Sequence, residues 1–182
     1  MKSLKLVLII VAVIVAIALM CVVMVQSTQN GAINREEQIE SAQSDIKVQE
    51  KRRADLLPNL VDCVKQYDAH EYNTLKDVIA TRGTNTDTSV NEVKTMINAV
   101  AEQYPQLQSN TNYKQLMNEL SVTENLIAEY RSNFNKQVKE YNRYVRKFPT
   151  RTFLSMTGYE ILEYKYLNYD VSSDAPTNLF GE

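Results

Sequence analysis

Five charged residues stand where apolar ones are expected. Over residues 33–67, Ile39, Ile46, Leu57, Leu60, Val64 and Tyr67 recur at steps of three and four, the spacing of one helix face. Glu50 and Arg53 fall within that stripe. Over residues 113–148, Tyr113, Met117, Leu120, Ile127, Phe134, Val138, Tyr141, Val145 and Phe148 form a second stripe. Glu124 and Arg131 occupy two of its positions, seven residues apart. Arg82 sits where the stripe of an intervening helix would continue. A charge in an apolar seam is costly unless paired, so these five are expected to pair across helices. Three readings follow. The charges form a structural network that sets helix register, or they line a polar pocket for a ligand, metal or partner segment, or the seam is more exposed than its pattern implies.

The metal version of the pocket is the sharpest and has little support. Di-metal sites in helical bundles use Glu together with Glu-x-x-His pairs. The chain has one histidine, His70, and no Glu-x-x-His. His70-Glu71 lacks the second histidine of a zinc-protease helix. His70 therefore reads as a residue beside a helix cap. The four glycines, Gly31, Gly83, Gly158 and Gly181, form no phosphate-cradling loop, and there is no Gly-x-Ser-x-Gly elbow. Cys63 lies beside Leu60 and Val64 and reads as a buried thiol, not a nucleophile. The aromatics, mainly Tyr, fall in seams and in the C-terminal tail and make no platform for stacking bases. No catalytic residue, cofactor or metal is expected.

The elements that position these residues begin at the N-terminus. Residues 6–25 contain no charge, Gly or Pro. At about 1.5 Å per residue they span about 30 Å, the thickness of a bilayer hydrocarbon core. The run is longer than the apolar region of a cleaved signal peptide, and Val23-Met24-Val25 is too bulky for a small-x-small cleavage site. Met20 directly before Cys21 argues against a lipoprotein anchor. A retained single-pass helix is expected, with the bilayer as its partner. Lys2, Lys5 and the amino terminus precede it, and residues 26–34 after it are uncharged. Positive-inside reasoning then places the N-terminus in the cytosol and the domain on the extracytoplasmic side.

Beyond Val25 the chain carries 18 basic and 22 acidic residues, a formal charge of −4. That length suits one domain with a real core. The negative balance argues against nucleic acid as a partner and against a basic surface drawn to anionic lipid. Cys21 and Cys63 lie in different segments and are not expected to pair.

The expected organisation is a basic segment at 1–5, the span at 6–25, a polar hinge at 26–31, a helical bundle at 32–149 and a C-terminal strap at 150–182. Pro58 kinks the first bundle helix or restarts a turn within it. Asp68 with Glu71 reads as a capping box, so a turn is expected at 67–69 and a second helix to Arg82. Residues 83–88 have poor helix propensity. Ser89 with Glu92 is a second capping box, and Val90, Val93, Ile97, Val100 and Tyr104 carry a new stripe that Pro105 ends. Residues 105–111 are expected as a loop with Asn110 capping the last helix, which Pro149 terminates. Its heptad spacing implies packing for about 50 Å. The fold class is all-α: an antiparallel up-and-down bundle of four helices, or three if the middle pair fuses, behind one transmembrane helix.

Several segments together carry a family resemblance. They are Lys51-Arg-Arg-Ala-Asp-Leu-Leu-Pro-Asn-Leu-Val61, His70-Glu71 with Thr74-Leu75, Ala80-Thr81-Arg82, Ala101-Glu-Gln-Tyr-Pro-Gln-Leu107, and Glu119-Leu-Ser-Val-Thr-Glu-Asn125. Ile127-Ala128, Arg131, Asn135, Val138, Tyr141-Asn142, Phe148-Pro149, Gly158-Tyr159 and Ala175-Pro176 with Phe180 follow in order. The chain resembles the LemA family of bacterial membrane proteins over about residues 33–180. It departs at residues 83–88, which are polar where the family is Ala-rich and helical. The resemblance implies an N-terminal membrane helix, an all-helical bundle and no catalytic residues. The proximity of such genes to those of membrane proteases points to envelope stress or membrane-protein quality control.

The leading expectation is a non-enzymatic, membrane-anchored scaffold that presents a bundle face to another membrane or envelope protein. A homo-oligomer is compatible with it. The alternative is a ligand-sensing or metal-dependent domain that uses a pocket among Glu50, Arg53, Arg82, Glu124 and Arg131.

Overall fold

In the computed structural model, residues 2–82 and 87–168 are described, with side chains for 6–81 and 90–168. Among the described residues all regular structure is helical: α1 (Lys2–Val64), α2 (Ala69–Arg82), α3 (Asp87–Gln103), α4 (Pro105–Ser109), α5 (Thr111–Arg146) and α6 (Thr150–Met156). The described residues separate into two compact units. One draws on residues 1–36 and 134–182, the other on residues 37–133.

The second unit is built on the predicted stripes. Leu57, Leu60, Val61 and Val64 of α1 meet Leu75 of α2, Val90, Val93, Ile97 and Val100 of α3, Leu107 of α4, and Tyr113 and Leu120 of α5 in one buried cluster. Pro58 lies inside α1 without ending it. A proline costs a helix interior about 3 kcal/mol. Burial of Leu56, Leu57, Leu60 and Val61 around it outweighs that, at roughly 1.5–3 kcal/mol for each fully buried side chain. Asn59 Nδ2 also donates to the Asp55 carbonyl, 3.0 Å away, in the turn that the ring disturbs.

The turn after Val64 forms as its sequence implies. Asp68 Oδ1 accepts the backbone N–H groups of His70 (2.9 Å) and Glu71 (3.0 Å), which caps α2. These bonds favour the ionised carboxylate and hold the Asp68 carboxyl below its usual range, the bond from Glu71 most strongly. Residues 83–86 lie outside the described residues, so the expected break there does too. α3 starts at Asp87, two residues ahead of the expected Ser89 cap, whose side chain is outside the described set.

Three expectations need correction. Residues 105–111, expected as a loop, contain α4. Pro105 at its first turn has no N–H to leave orphaned, and the fully buried Leu107 pins the turn. Asn110 still caps α5, its Oδ1 accepting the N–H groups of Asn112 and Tyr113. Phe148, expected to extend the α5 seam, is 84% exposed: α5 stops at Arg146, because the residue before a proline is pushed out of helical geometry.

The third correction lies in the first unit. Residues 26–31, expected as a hinge, are helical and continue α1. Glycine disfavours a helix by about 1 kcal/mol, but Gly31 has a packing reason. A Cβ there would collide with the hydroxyl of Tyr144 on α5 and lie 2.9 Å from its Cζ. Tyr144 uses that space to donate its hydroxyl to the Thr28 carbonyl (3.1 Å). Arg35 donates to the Gly31 carbonyl (2.7 Å) and lays its guanidinium 3.9 Å from the centre of the Tyr144 ring.

The expected strap is helical in its first seven residues, as α6, with Thr150 and Leu154 buried. Gly158 (φ +66°) turns the chain, since that backbone conformation suits a residue without a Cβ. An extended segment then runs beside α5. Asn135 holds Leu167 through both its amide groups, and Asn142 donates to the Tyr164 carbonyl. Residues 169–182 lie outside the described residues.

Candidate functional site

The seam charges meet as two cross-helix pairs in the second unit. Arg53 Nη1 of α1 lies 3.4 Å and 3.5 Å from the two carboxylate oxygens of Glu124 on α5. Arg131 Nη2 of α5 lies 3.2 Å from Glu50 Oε1 of α1. The higher-numbered α1 residue pairs with the lower-numbered α5 residue, so α1 and α5 run in opposite directions there. The Arg53 side chain has no solvent exposure, whereas Glu124 keeps 30%. Each pair therefore joins a more deeply placed guanidinium to a carboxylate with one edge towards water. A third pair, Arg52 with Glu119 at 3.7 Å, is largely exposed and adds little. The side chain of Arg82 lies outside the described residues.

These carboxylates face guanidinium groups across the α1–α5 seam. A nearby recess of about 360 Å³ is lined by other residues: Asn59, Asp62, Cys63, Gln66, Asn110 and Asn112, with Leu116 at its edge. Burial pushes the Cys63 thiol above its usual range, with Asp62 adding to the effect, so it stays protonated and weakly nucleophilic. Asn112 donates to its sulfur at 3.6 Å. His70 is exposed beside the Asp68 cap. Among the described residues no group of three or more His, Cys, Asp or Glu is placed to hold a metal ion.

The first unit holds a polar centre that the sequence reading did not single out. Glu36 of α1 accepts two phenol hydroxyls, from Tyr141 of α5 to Oε1 (2.8 Å) and from Tyr159 to Oε2 (3.0 Å). The fully buried Tyr141 hydroxyl also accepts the Leu162 N–H at 3.0 Å. The Tyr164 ring meets the Tyr141 ring edge-on at 5.2 Å. Burial, then the bond and charge of Glu36, raise the Tyr141 hydroxyl far above the usual range and Tyr159 to about 12. One signal was present. Glu36 stands three residues before Ile39, on the same stripe that carries Glu50 and Arg53. Its partners could not be read, because one of them comes from the irregular tail.

Residues 6–24 of α1 belong to the same unit. Their helix is long and apolar enough to cross a membrane, and none of its apolar window is buried against the rest of the chain. That leaves an apolar surface with no protein cover, as lipid contact requires.

A 66-residue stretch is 38% identical to Magnetosome protein MamQ of Magnetospirillum gryphiswaldense, covering 36% of this chain and 24% of that protein. Magnetosome protein MamQ 2 of Paramagnetospirillum magneticum matches with the same identity and coverage. The chain thus aligns with about a quarter of the length of these curated relatives. The profile of the LemA family matches residues 42–179, which include all three ion pairs, the recess and both tyrosine partners of Glu36. The chain is a membrane-associated, helical member of the LemA family.

Proposed function

We propose that this protein is a single-pass, membrane-anchored scaffold of the bacterial cell envelope that does no chemistry of its own. Its N-terminus lies in the cytosol, its apolar helix at 6–25 is retained, and its domain is extracytoplasmic. The helices of the second unit form an antiparallel up-and-down bundle. The pairs Arg53–Glu124 and Glu50–Arg131, with Arg82, act as a register network and not as a ligand pocket. The domain presents a face to another membrane or envelope protein, in a setting of envelope stress or membrane-protein quality control.

The observation that carries this reading is the continuity of α1. The apolar span and the first helix of the domain are one element from Lys2 to Val64, with no flexible joint at 26–31. Such an anchor confines the domain to one surface, which raises the effective concentration of partners there. The test is photo-crosslinking in intact cells from Val122, an exposed apolar residue of α5, with mass spectrometry of the captured protein. A reproducible adduct to one membrane or envelope protein supports the scaffold. Capture of lipid and self alone counts against it. Topology is tested separately with Ser27→Cys in a chain whose Cys21 and Cys63 are replaced by Ser. A membrane-impermeant thiol reagent should label intact cells, and labelling only after lysis would place the domain in the cytosol.

A further inference from the structure

The chain is acidic beyond its span, yet one corner is not. Residues 143–159 contain Arg143, Arg146, Lys147 and Arg151 and no acidic residue. All four basic side chains are exposed. Two large apolar side chains bracket α6, Phe148 ahead of its first turn at 84% exposure and Met156 at its last residue at 76%. The corner is tied down from behind by buried Val145, Thr150 and Leu154. Exposed apolar groups of this size beside a cluster of cations are the two halves of a membrane-interface contact.

Its height above the span follows from contacts within the first unit. Glu36 of α1 meets Tyr141 of α5, and further down, the Thr28 carbonyl and Gly31 meet Tyr144. Moving along α5 from Tyr141 towards Arg146 therefore approaches the apolar run, which ends at Val25. Thr28 stands about 4.5 Å beyond Val25, and Arg146, the last residue of α5, stands about 3 Å past Tyr144 in the direction of the span, with Phe148 in the turn that follows. The end of α5, and the corner that begins there, thus lie close to the end of the apolar segment, where acyl chains give way to headgroups.

We propose that the α5–α6 corner is a second membrane contact, in which Phe148 and Met156 enter the interface of the bilayer that holds residues 6–25 while Arg143, Arg146, Lys147 and Arg151 engage anionic phospholipid headgroups. Arg146 and Arg151 line one recess of about 370 Å³ with Val145, Ile161 and Leu162. That places two guanidinium groups beside an apolar wall, as a phosphate with an attached acyl chain would need. Glu163 also lines the recess and offsets part of this charge. With the span as one attachment and the corner as the other, the first unit is held at a set orientation to the membrane and does not swing on a tether.

The inference rests on the reading that residues 6–25 span the bilayer, and the experiment separates the two. The chain contains no Trp, so single Trp variants report position directly. The full chain is placed in nanodiscs of brominated phosphatidylcholine, alone or mixed with brominated phosphatidylglycerol. Ile14→Trp reports the span, Phe148→Trp the corner, and Lys139→Trp an exposed site on α5 farther from the bilayer. The expected result is strong quenching for Ile14→Trp, and quenching with a blue shift for Phe148→Trp that grows with phosphatidylglycerol. Lys139→Trp should stay unquenched. Arg146→Gln with Arg151→Gln should lower the docked-to-undocked ratio by about fivefold for each charge removed, and added salt should act in the same direction. If Phe148→Trp is quenched no more than Lys139→Trp while Ile14→Trp is quenched, the corner contact is overturned and the span stands. If Ile14→Trp is not quenched, both fall. Equal quenching of Phe148→Trp in both lipids overturns the role of the cations.

Discussion

Tyr141 donates its phenolic hydroxyl to Glu36 Oε1 across 2.8 Å, which joins α5 to α1 beyond the apolar span. A neutral donor on a charged acceptor in a low-dielectric setting is stronger than a neutral pair. The Tyr141 oxygen also accepts the Leu162 N–H, so one atom fixes both α1 and the extended C-terminal segment to α5.

Tyr141→Phe should therefore destabilise the first unit by about 1.5–3 kcal/mol, because Glu36 loses a donor and the Leu162 N–H loses its acceptor. Urea denaturation followed by circular dichroism in detergent micelles measures this. A change within a few tenths of a kcal/mol would show that the bond is not formed in solution.

Alkaline pH gives a second test of the same centre. A tyrosine in the unfolded chain ionises near pH about 10. In the fold, Tyr159 is raised to about 12 and Tyr141 further. Above about pH 10 the unfolded state binds fewer protons than the native state, so stability must fall as pH rises. The contribution is fully present below that value and is lost progressively towards pH 12 and beyond. Each phenol adds a slope of up to about 1.4 kcal/mol per pH unit. Tyrosinate absorbance should show late-titrating phenols in the native protein, Tyr141 and Tyr159 the latest of them. Glu36→Gln should bring both towards the ordinary range, since it removes the charge that opposes ionisation.

The seam pairs predict an asymmetry. Arg53 is fully buried and Glu124 is not. Glu124→Ala takes a carboxylate from a guanidinium that has no access to water and should cost about 2–4 kcal/mol. Arg53→Met keeps the apolar volume and leaves Glu124 free to hydrate at its exposed edge, so it should cost about 1 kcal/mol or less. A double-mutant cycle of thermal unfolding gives the coupling. Equal costs for the two single variants would sink this account of the seam.

Gly31→Ala should change sign with its neighbour. In the native chain the added methyl group drives the Tyr144 hydroxyl off the Thr28 carbonyl and should cost about 1–2 kcal/mol. In a Tyr144→Ala background the space is empty, and the same change should stabilise α1 by about 1 kcal/mol through helix propensity. Stabilisation in both backgrounds would mean that Tyr144 does not occupy this position.

At the other end of α1, Asp68→Ala should speed hydrogen exchange at the His70 and Glu71 amides, whereas Asp68→Asn should preserve protection because it keeps the accepting oxygen. Because the fold holds the Asp68 carboxyl below its usual range, the protection should persist above the ordinary carboxylate range and weaken as pH falls through the folded value. Exchange at these amides that is identical in all three proteins would remove Asp68 from its capping role.

Much of the fold was legible because it rests on local rules. An uncharged apolar run implies a span, a three-and-four spacing implies a buried stripe, and Asp68 and Asn110 cap helices through oxygen atoms within three residues of their targets. The errors share one cause. Residues 26–31 looked like a hinge because they are polar and contain Gly31, and only the arrival of Tyr144, more than a hundred residues later, explains why a glycine is needed in a straight helix. Phe148 looked like a seam residue because period was extrapolated past the point where Pro149 stops the helix.

By itself, the sequence determined the apolar span, the helical class, the positions of the main stripes and the presence of charges within them, because periodicity and hydropathy act along the chain. Which charges meet was decided only by tertiary structure: Arg53 with Glu124, Arg131 with Glu50, and Glu36 with two tyrosines instead of an arginine. Pair identity depends on the relative register of helices that are distant in sequence. That register is set by how whole faces pack and by the cost of burying any charge left without a counterpart.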